Sequence, residues 1–316
     1  MNHLSTCIKK FSRLRTAKIN GVAAPHKPIL LLAIITGIEQ GEIKENKIRI
    51  TPALVAAFKN LWHQLVHNTT FTANFALPFY HLKSDGFWHL HTCLGREILL
   101  TTSHSIKSFA QLKEVMDYAS FNEDLYHLLI NPDTREVLKQ TLLSAYFPTA
   151  QKVSANNELI TTIIHQILHE PAAVYKSKAA SFDEEEVFIR GGVFKKEIPK
   201  IYNYTCCISG MRVVADKEVQ MIDACHIVPF AQSGDDTIGN GLSLCPNLHR
   251  AFDRGLVAIS NEYRVLVKPF HEVNNNAYSI KQFEGKKILL PKEKAYHPLT
   301  VNLAKHRQRF GFDTNI

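Results

Sequence analysis

The sequence predicts an α+β protein in two domains, and three observations carry that reading. Helical periodicity and short alternating runs interleave through residues 1–150. Residues 187–316 follow a strand, loop, strand, loop, helix pattern. Residues 151–186 between them change in character. At 316 residues, the chain has the length of two domains of about 150 residues each. Hydrophobic residues make up 45% and charged residues 21%, which rules out a collagen-like, low-complexity or largely disordered chain.

In the first domain, Pro28 can open a helix whose run Ile29, Leu30, Leu31, Leu32, Ile34, Ile35 and Ile38 is too continuous for an exposed face. A buried helix ending near Gly41 is expected. Residues 46–50 alternate and suit a short strand. Thr51 and Pro52 form a cap and first position for a second helix, running through Leu54, Phe58 and Trp62 to about Leu65. Two apolar runs around Ser84-Asp85-Gly86 predict a hairpin over residues 79–90. Further helices are expected over 108–118 and 132–145. The 151–186 segment keeps helical spacing in Leu159, Ile163, Ile164, Ile167 and Leu168, is interrupted at Pro171 and then turns polar, as a helical linker would.

Lys plus Arg number 37 against 29 Asp plus Glu, a formal net charge of +8, so a polyanion is an expected partner. The N-terminal MNHLSTCIKKFSRLR lacks the apolar run of a secretory signal, and the longest apolar stretch, Ile29 to Ile35, is too short to span a bilayer. A cytoplasmic location and no membrane partner follow as expectations. The six cysteines include no CxxC pair, so they read as thiols or metal ligands, and a four-cysteine zinc ribbon lacks its spacing.

The chemistry concentrates between residues 222 and 255. His226 ends the run Ile222-Asp223-Ala224-Cys225-His226-Ile227-Val228-Pro229. Asn240 follows after fourteen residues, between Gly239 and Gly241, and His249 nine residues later in Asn247-Leu248-His249-Arg250-Ala251-Phe252-Asp253. His226 should point out of a strand end. Ser243 and Pro246 should open a helix carrying His249 and Phe252, with room for a divalent cation between the two imidazoles. A neutral imidazole can accept a proton from attacking water, and a metal can neutralise a phosphorane-like state. Asn240 can fix the loop and orient the base. Asp235 and Asp236 read as a solvated loop, Cys225 and Cys245 as packed small residues, and Asp253 as a helix-end cap or salt bridge rather than an acid supporting the site from behind the ligands.

Residues Tyr204 to Leu256 resemble the HNH nuclease family with its ββα-metal fold. The likeness rests on Cys207-Ile208-Ser209-Gly210, Cys225-His226-Ile227-Val228-Pro229, Asn240-Gly241-Leu242 and His249-Arg250-Ala251-Phe252-Asp253-Arg254-Gly255. It implies His226 as general base, Asn240 as structural asparagine and His249 as a ligand of a divalent metal, Mg2+ or Mn2+; some relatives carry a structural zinc on paired CxxC motifs, which this chain lacks, so none is expected. Cys225 stands where the family carries a second ligand. Asp223, on the same side of the strand, is the better donor for a hard cation, and whether it or another group completes the site stays open.

The first domain carries Ala24-Pro25-His26-Lys27-Pro28 at the mouth of the buried helix, and Phe75-Ala76-Leu77-Pro78-Phe79-Tyr80-His81 before the expected hairpin. Together, over roughly residues 15–150, these resemble the sulfur-binding domain of phosphorothioate-dependent type IV restriction endonucleases. The resemblance implies that Pro78 forms an apolar cup for sulfur with Leu77 and His81 beside it, and that Lys27 and His26 contact the DNA backbone. The family more often has an aromatic residue at Leu77, a small one at His81 and Arg at Lys27. The implied function is an antiphage, modification-dependent endonuclease acting on phosphorothioated double-stranded DNA. Two alternatives are an HNH restriction endonuclease reading methylated or unmodified DNA, and a non-catalytic DNA-binding regulator. Lys286, Lys287, Lys292, Lys294, Lys305, Arg307 and Arg309 read as a basic tail for backbone contact or as a solvated face. Cutting two strands would suit a homodimer.

Overall fold

The structure is a computed structural model, and it describes residues 3–67, 70–96, 106, 108–149, 158–213, 220–270 and 278–312. The chain forms two compact units, Met1–Thr161 with Asp183–Ile189, and Thr162–Phe182 with Arg190–Ile316.

In the first unit the order is α1 (His3–Phe11), β1 (Lys18–Ile19), β2 (Val22–Ala23), α2 (His26–Glu39), β3 (Ile48–Arg49), α3 (Pro52–Leu65), α4 (Ala76–His81), β4 (Trp88–Thr92), α5 (Phe109–Val115), β5 (Met116–Phe121), α6 (Glu123–Ile130) and α7 (Pro132–Tyr146). Helix α2 is buried on all sides from His26 to Ile35, which is why its apolar run has no gaps. Helix α3 begins as its cap chemistry dictates: Pro52 takes the first position, and Thr51 accepts a hydrogen bond from the Leu54 N–H at 3.2 Å.

Two expected elements take another form. No hairpin forms around Ser84-Asp85-Gly86. Instead α4 runs into a 3-10 turn over Leu82–Asp85, which Gly86 closes at φ 73°. Phe75, Ala76, Phe79, Tyr80 and Leu82 all bury their side chains, and a helical turn presents that set to the core better than a strand does. Strand β4 pairs with β5, and β5 is the centre of an antiparallel sheet in the order β3-β5-β4. The helix expected over 108–118 accordingly stops at Val115, and Met116 onward is strand.

The second unit holds most of α8 (Glu158–His169), then α9 (Ala172–Ala179) and the larger part of α10 (Glu184–Ile201). Then come β6 (Asp223–His226), α11 (Phe230–Ser233), a 3-10 turn over Ile238–Asn240, β7 (Gly241–Leu244), α12 (Pro246–Asp253), β8 (Val257–Ile259), β9 (Val265–Val267) and α13 (Thr300–Phe310). Strands β6 and β7 are antiparallel, with His226 opposite Gly241. Gly241 is required there: a Cβ would lie 2.2 Å from Ile198 Cδ1 of α10. Ser243 lies within β7, so Pro246 alone opens α12. Among the described residues no helix is long and apolar enough to cross a membrane.

Candidate functional site

In the second unit, strand alternation sorts the chemistry of β6 onto two faces. Asp223 and Cys225 share the face that meets α12. Asp223 Oδ2 lies 3.2 Å from His249 Nδ1, and Cys225 Sγ lies 3.8 Å from Asp253 Oδ1. His249 and Asp253 sit one turn apart on α12, with Nε2 and Oδ2 at 3.4 Å. One donor atom each from Cys225, His249 and Asp253 lies within 4.8 Å of the others.

The donor chemistry fits a divalent cation. Two half-exposed carboxylates and an imidazole are hard to borderline donors. Burial, reinforced by the neighbouring Asp253 carboxylate, pushes the Cys225 thiol well up. Asp253 faces His249 Nε2 and Asp223 faces Nδ1, so the two carboxylates meet different nitrogens of the ring. A cleft of about 740 Å3, lined by these three residues together with Arg250 and Arg254, opens at the cluster.

His226 lies on the other face of β6 from Asp223 and Cys225 and is not one of the three residues of that cluster. Its ring stacks on Phe194 of α10, with centroids 3.9 Å apart and planes 7° from parallel. Its Nε2 lies 2.8 Å from Asp236 Oδ1. Asp235 and Asp236 are 0% and 2% exposed, against the expected solvated loop. Asp235 caps Thr237, whose N–H and hydroxyl both donate to its Oδ1, and it pairs with Lys176 at 3.1 Å. Asn240 is fully buried and staples the loop. Its Oδ1 accepts from the Val228 N–H at 2.9 Å, and its Nδ2 donates to the carbonyls of Val228 and Asp235 at 2.8 and 2.9 Å. It holds the backbone after His226 and makes no hydrogen bond to the imidazole among those described. Cys245 is buried, as expected.

In the first unit, one cavity of about 480 Å3 brings together all five residues singled out in the sequence: His26, Lys27, Leu77, Pro78 and His81. Phe71 and Ile19 extend its apolar wall, and Arg15 joins its lining. Pro78 fits in the first turn of α4, where the backbone N–H has no helical acceptor to lose. His26 is nearly buried, with Nε2 3.0 Å from the Thr72 carbonyl and its ring against Trp62. Burial lowers its pKa and keeps it neutral. His81 is lowered by partial burial and then by the charges of Lys27 and Lys83.

Lys27 is not positioned as a backbone contact. Its ammonium donates to the Arg15 carbonyl at 2.6 Å, Ser84 Oγ at 2.9 Å and Asp85 Oδ2 at 2.6 Å, and both members of the ion pair are buried. Three acceptors use all three ammonium protons. The exposed cation of this cavity is Arg15, whose backbone N–H is held by Asp85 Oδ1 at 2.8 Å. Arg307 likewise leaves the basic tail: it is buried and donates to the Ile259 carbonyl and Asn261 Oδ1 at 2.8 and 3.0 Å.

Sequence reasoning missed Arg15, Asp236, Arg250 and Arg254, and preferred a cap or salt bridge over a site-supporting acid for Asp253. The four-residue spacing of His249 and Asp253 on a helix could have flagged the last, because it places both on one face. Asp236 has no such local signal.

Comparison with known proteins agrees with this division. Residues 206–260 match the HNH endonuclease family, and residues 4–158 match the ScoMcrA-like DNA sulfur-binding domain. Among solved structures, one similar chain is the sulfur binding domain of ScoMcrA complexed with phosphorothioated DNA, at 22% identity over 45% of this chain and 87% of that one, with a TM-score of 0.37. The type IV phosphorothioation-dependent restriction endonuclease ScoMcrA aligns at 12% identity over 77% of this chain and 93% of that one, with a TM-score of 0.34. The modification dependent TagI restriction endonuclease aligns at 20% identity and a TM-score of 0.28 over 37% of this chain, and the match spans 36% of its length. No curated protein matches the sequence. The chain thus pairs a region that matches the ScoMcrA-like DNA sulfur-binding domain with one that matches the HNH endonuclease family.

Proposed function

We propose that this protein is a modification-dependent restriction endonuclease that binds phosphorothioated double-stranded DNA and hydrolyses a phosphodiester bond nearby. The observation that carries the reading is the convergence of His26, Leu77, Pro78 and His81 on one apolar cavity with a cationic rim, in a chain that also holds an HNH domain. Sulfur is larger, more polarisable and less strongly hydrated than oxygen. Apolar walls at Leu77, Pro78 and Phe71 therefore favour it, while Arg15 at the rim attracts the remaining phosphate oxygens.

In the nuclease domain His226 takes the proton of the attacking water. Asn240 fixes the backbone from which His226 projects. His249 and Asp253, with Asp223, would hold a divalent metal, Mg2+ or Mn2+, which when bound supplies charge neutralisation at the phosphate and the leaving oxygen. Arg250 on α12 and Arg254 just past its end line the same cleft and bind neighbouring phosphates. Cutting both strands calls for two such centres, which a homodimer would supply, and incoming DNA would meet the enzyme in the cytoplasm.

The test uses matched duplexes and plasmids with and without one sulfur substitution, in Mg2+ or Mn2+. The wild type should bind and cut the sulfurated DNA preferentially. His226→Ala should bind equally well but lose cleavage by about 10²- to 10⁴-fold. Equal affinity for both duplexes would remove the sulfur reading and leave an HNH nuclease for methylated or plain DNA. Wild-type cleavage by His226→Ala would remove the role of His226.

A further inference from the structure

The imidazole of His226 is constrained twice, and neither constraint comes from the metal cluster. Phe194, fully buried, lies face to face with the ring and fixes its plane. Asp236, 2% exposed, approaches Nε2 at 2.8 Å and fixes both the rotation within that plane and the proton. A carboxylate accepts hydrogen bonds, so Nε2 carries the hydrogen, which in the neutral imidazole leaves the lone pair on Nδ1. Among the described residues no hydrogen bond to His226 Nδ1 is seen.

Asp236 is itself held. The Tyr175 hydroxyl on α9 donates to Asp236 Oδ2 at 3.4 Å. Burial, together with the adjacent carboxylate, pushes the Tyr175 pKa well up, so it stays a donor at neutral pH. Asp236 thus spans two rings, the tyrosine on one oxygen and the histidine on the other.

We propose that Asp236 is a positioning residue for His226: it sets the Nε2–H tautomer so that Nδ1 faces the attacking water, and Tyr175 keeps the carboxylate in place. This rests on the reading of His226 as general base. A carboxylate that orients a basic imidazole is a general device for presenting one nitrogen in the right form. Here it is supplied by a residue ten positions along the chain and a tyrosine from another helix.

The experiment compares Asp236→Asn, Asp236→Leu, Tyr175→Phe and His226→Ala in the full chain. Asparagine keeps an acceptor for Nε2–H and can donate to the tyrosine oxygen; leucine keeps the volume and supplies no acceptor. In ¹⁵N-histidine spectra, His226 should be the Nε2–H tautomer in the wild type and in Asp236→Asn, and a mixture in Asp236→Leu. The kcat for DNA cleavage should fall by about 10- to 100-fold in Asp236→Leu, the range typical of an orienting partner. The fall should be only a few-fold in Asp236→Asn and Tyr175→Phe, with KM and DNA affinity unchanged in all three. In the His226→Ala background, Asp236→Leu should cost nothing further, because its effect passes through the imidazole. An Nδ1–H tautomer in the wild type would overturn the proposal. So would an equal loss from Asp236→Leu with and without His226, or full activity of a folded Asp236→Leu. A wild type that cuts no DNA would instead remove the nuclease reading, and the tautomer measurement would still decide the structural claim.

Discussion

Lys27 gives the sharpest contrast between a DNA contact and an internal strut. The perturbation is Lys27→Met, which keeps the aliphatic stem and deletes the charge. The ammonium of Lys27 and the carboxylate of Asp85 are 8% and 5% exposed and lie 2.6 Å apart. Deletion therefore leaves Asp85 with the Arg15 N–H and no compensating cation. Stranding one member of a buried ion pair costs about 3–5 kcal/mol. For a unit of this size about 1 kcal/mol moves Tm by roughly 2–4 °C, so the transition of the sulfur-binding unit should drop by about 6–20 °C. Calorimetry on the full chain reads that shift. Lys27→Met/Asp85→Leu should recover part of it, because no uncompensated charge remains. Arg15→Ala is the counterpart: Tm should stay put, while the slope of log affinity against log salt falls by about 0.9, one phosphate contact. If Lys27→Met keeps its Tm and loses the salt slope instead, the assignment of the two cations is reversed and the reasoning from burial fails.

Three further outcomes follow from the second unit. Asn240→Ala removes three hydrogen bonds and strands the Val228 N–H, so chemical denaturation should show a loss of about 3 kcal/mol, at about 1 kcal/mol per bond, together with lost cleavage. His306, 3% exposed and stacked on Phe252, is lowered to about 4 by burial. Between that value and the unfolded value of 6.5, the unfolded chain binds the extra proton, so stability present above pH 6.5 is lost as pH falls. A loss on the order of 2 kcal/mol at pH 5 relative to pH 7.5 is expected, and His306→Gln should flatten it in denaturation curves. Arg250→Ala/Arg254→Ala should reduce the salt slope of DNA binding by about 2 without changing the preference for sulfur, as read by fluorescence anisotropy.

The parts of the molecule legible in the sequence are those whose determinants are local or chemically specific. Thr51 and Pro52 start a helix wherever they stand together before an amphipathic run, and α3 begins and ends as expected. His226, Asn240 and His249 stand out in the sequence because their order and spacing resemble those of the HNH family. The five cavity residues could be gathered only through family resemblance, since Lys27 and Leu77 are fifty positions apart. What stayed hidden depends on tertiary partners. Asp-Gly signals a hairpin, but the strand that β4 needs is β5, and the residues before Gly86 fold as α4 and a 3-10 turn. Met116–Phe121 continues a helical pattern in sequence and becomes a strand because it fills the centre of a sheet. Asp236 looks like any acidic loop residue until Tyr175 and His226 close on it, and Lys27 looks solvated until Asp85 does.

The stacking of Phe194 on His226 bears on how such nucleases can be transplanted. The segment that matches the HNH family begins at residue 206, yet the ring that lies flat on the imidazole comes from α10, and the tyrosine behind Asp236 from α9. A chimera spliced at the family boundary would carry the hairpin and its following helix but leave both supports behind. Fusions that borrow this cutting module should therefore start upstream of α8, so that the whole second unit is kept, and those cut at residue 206 should turn over more slowly.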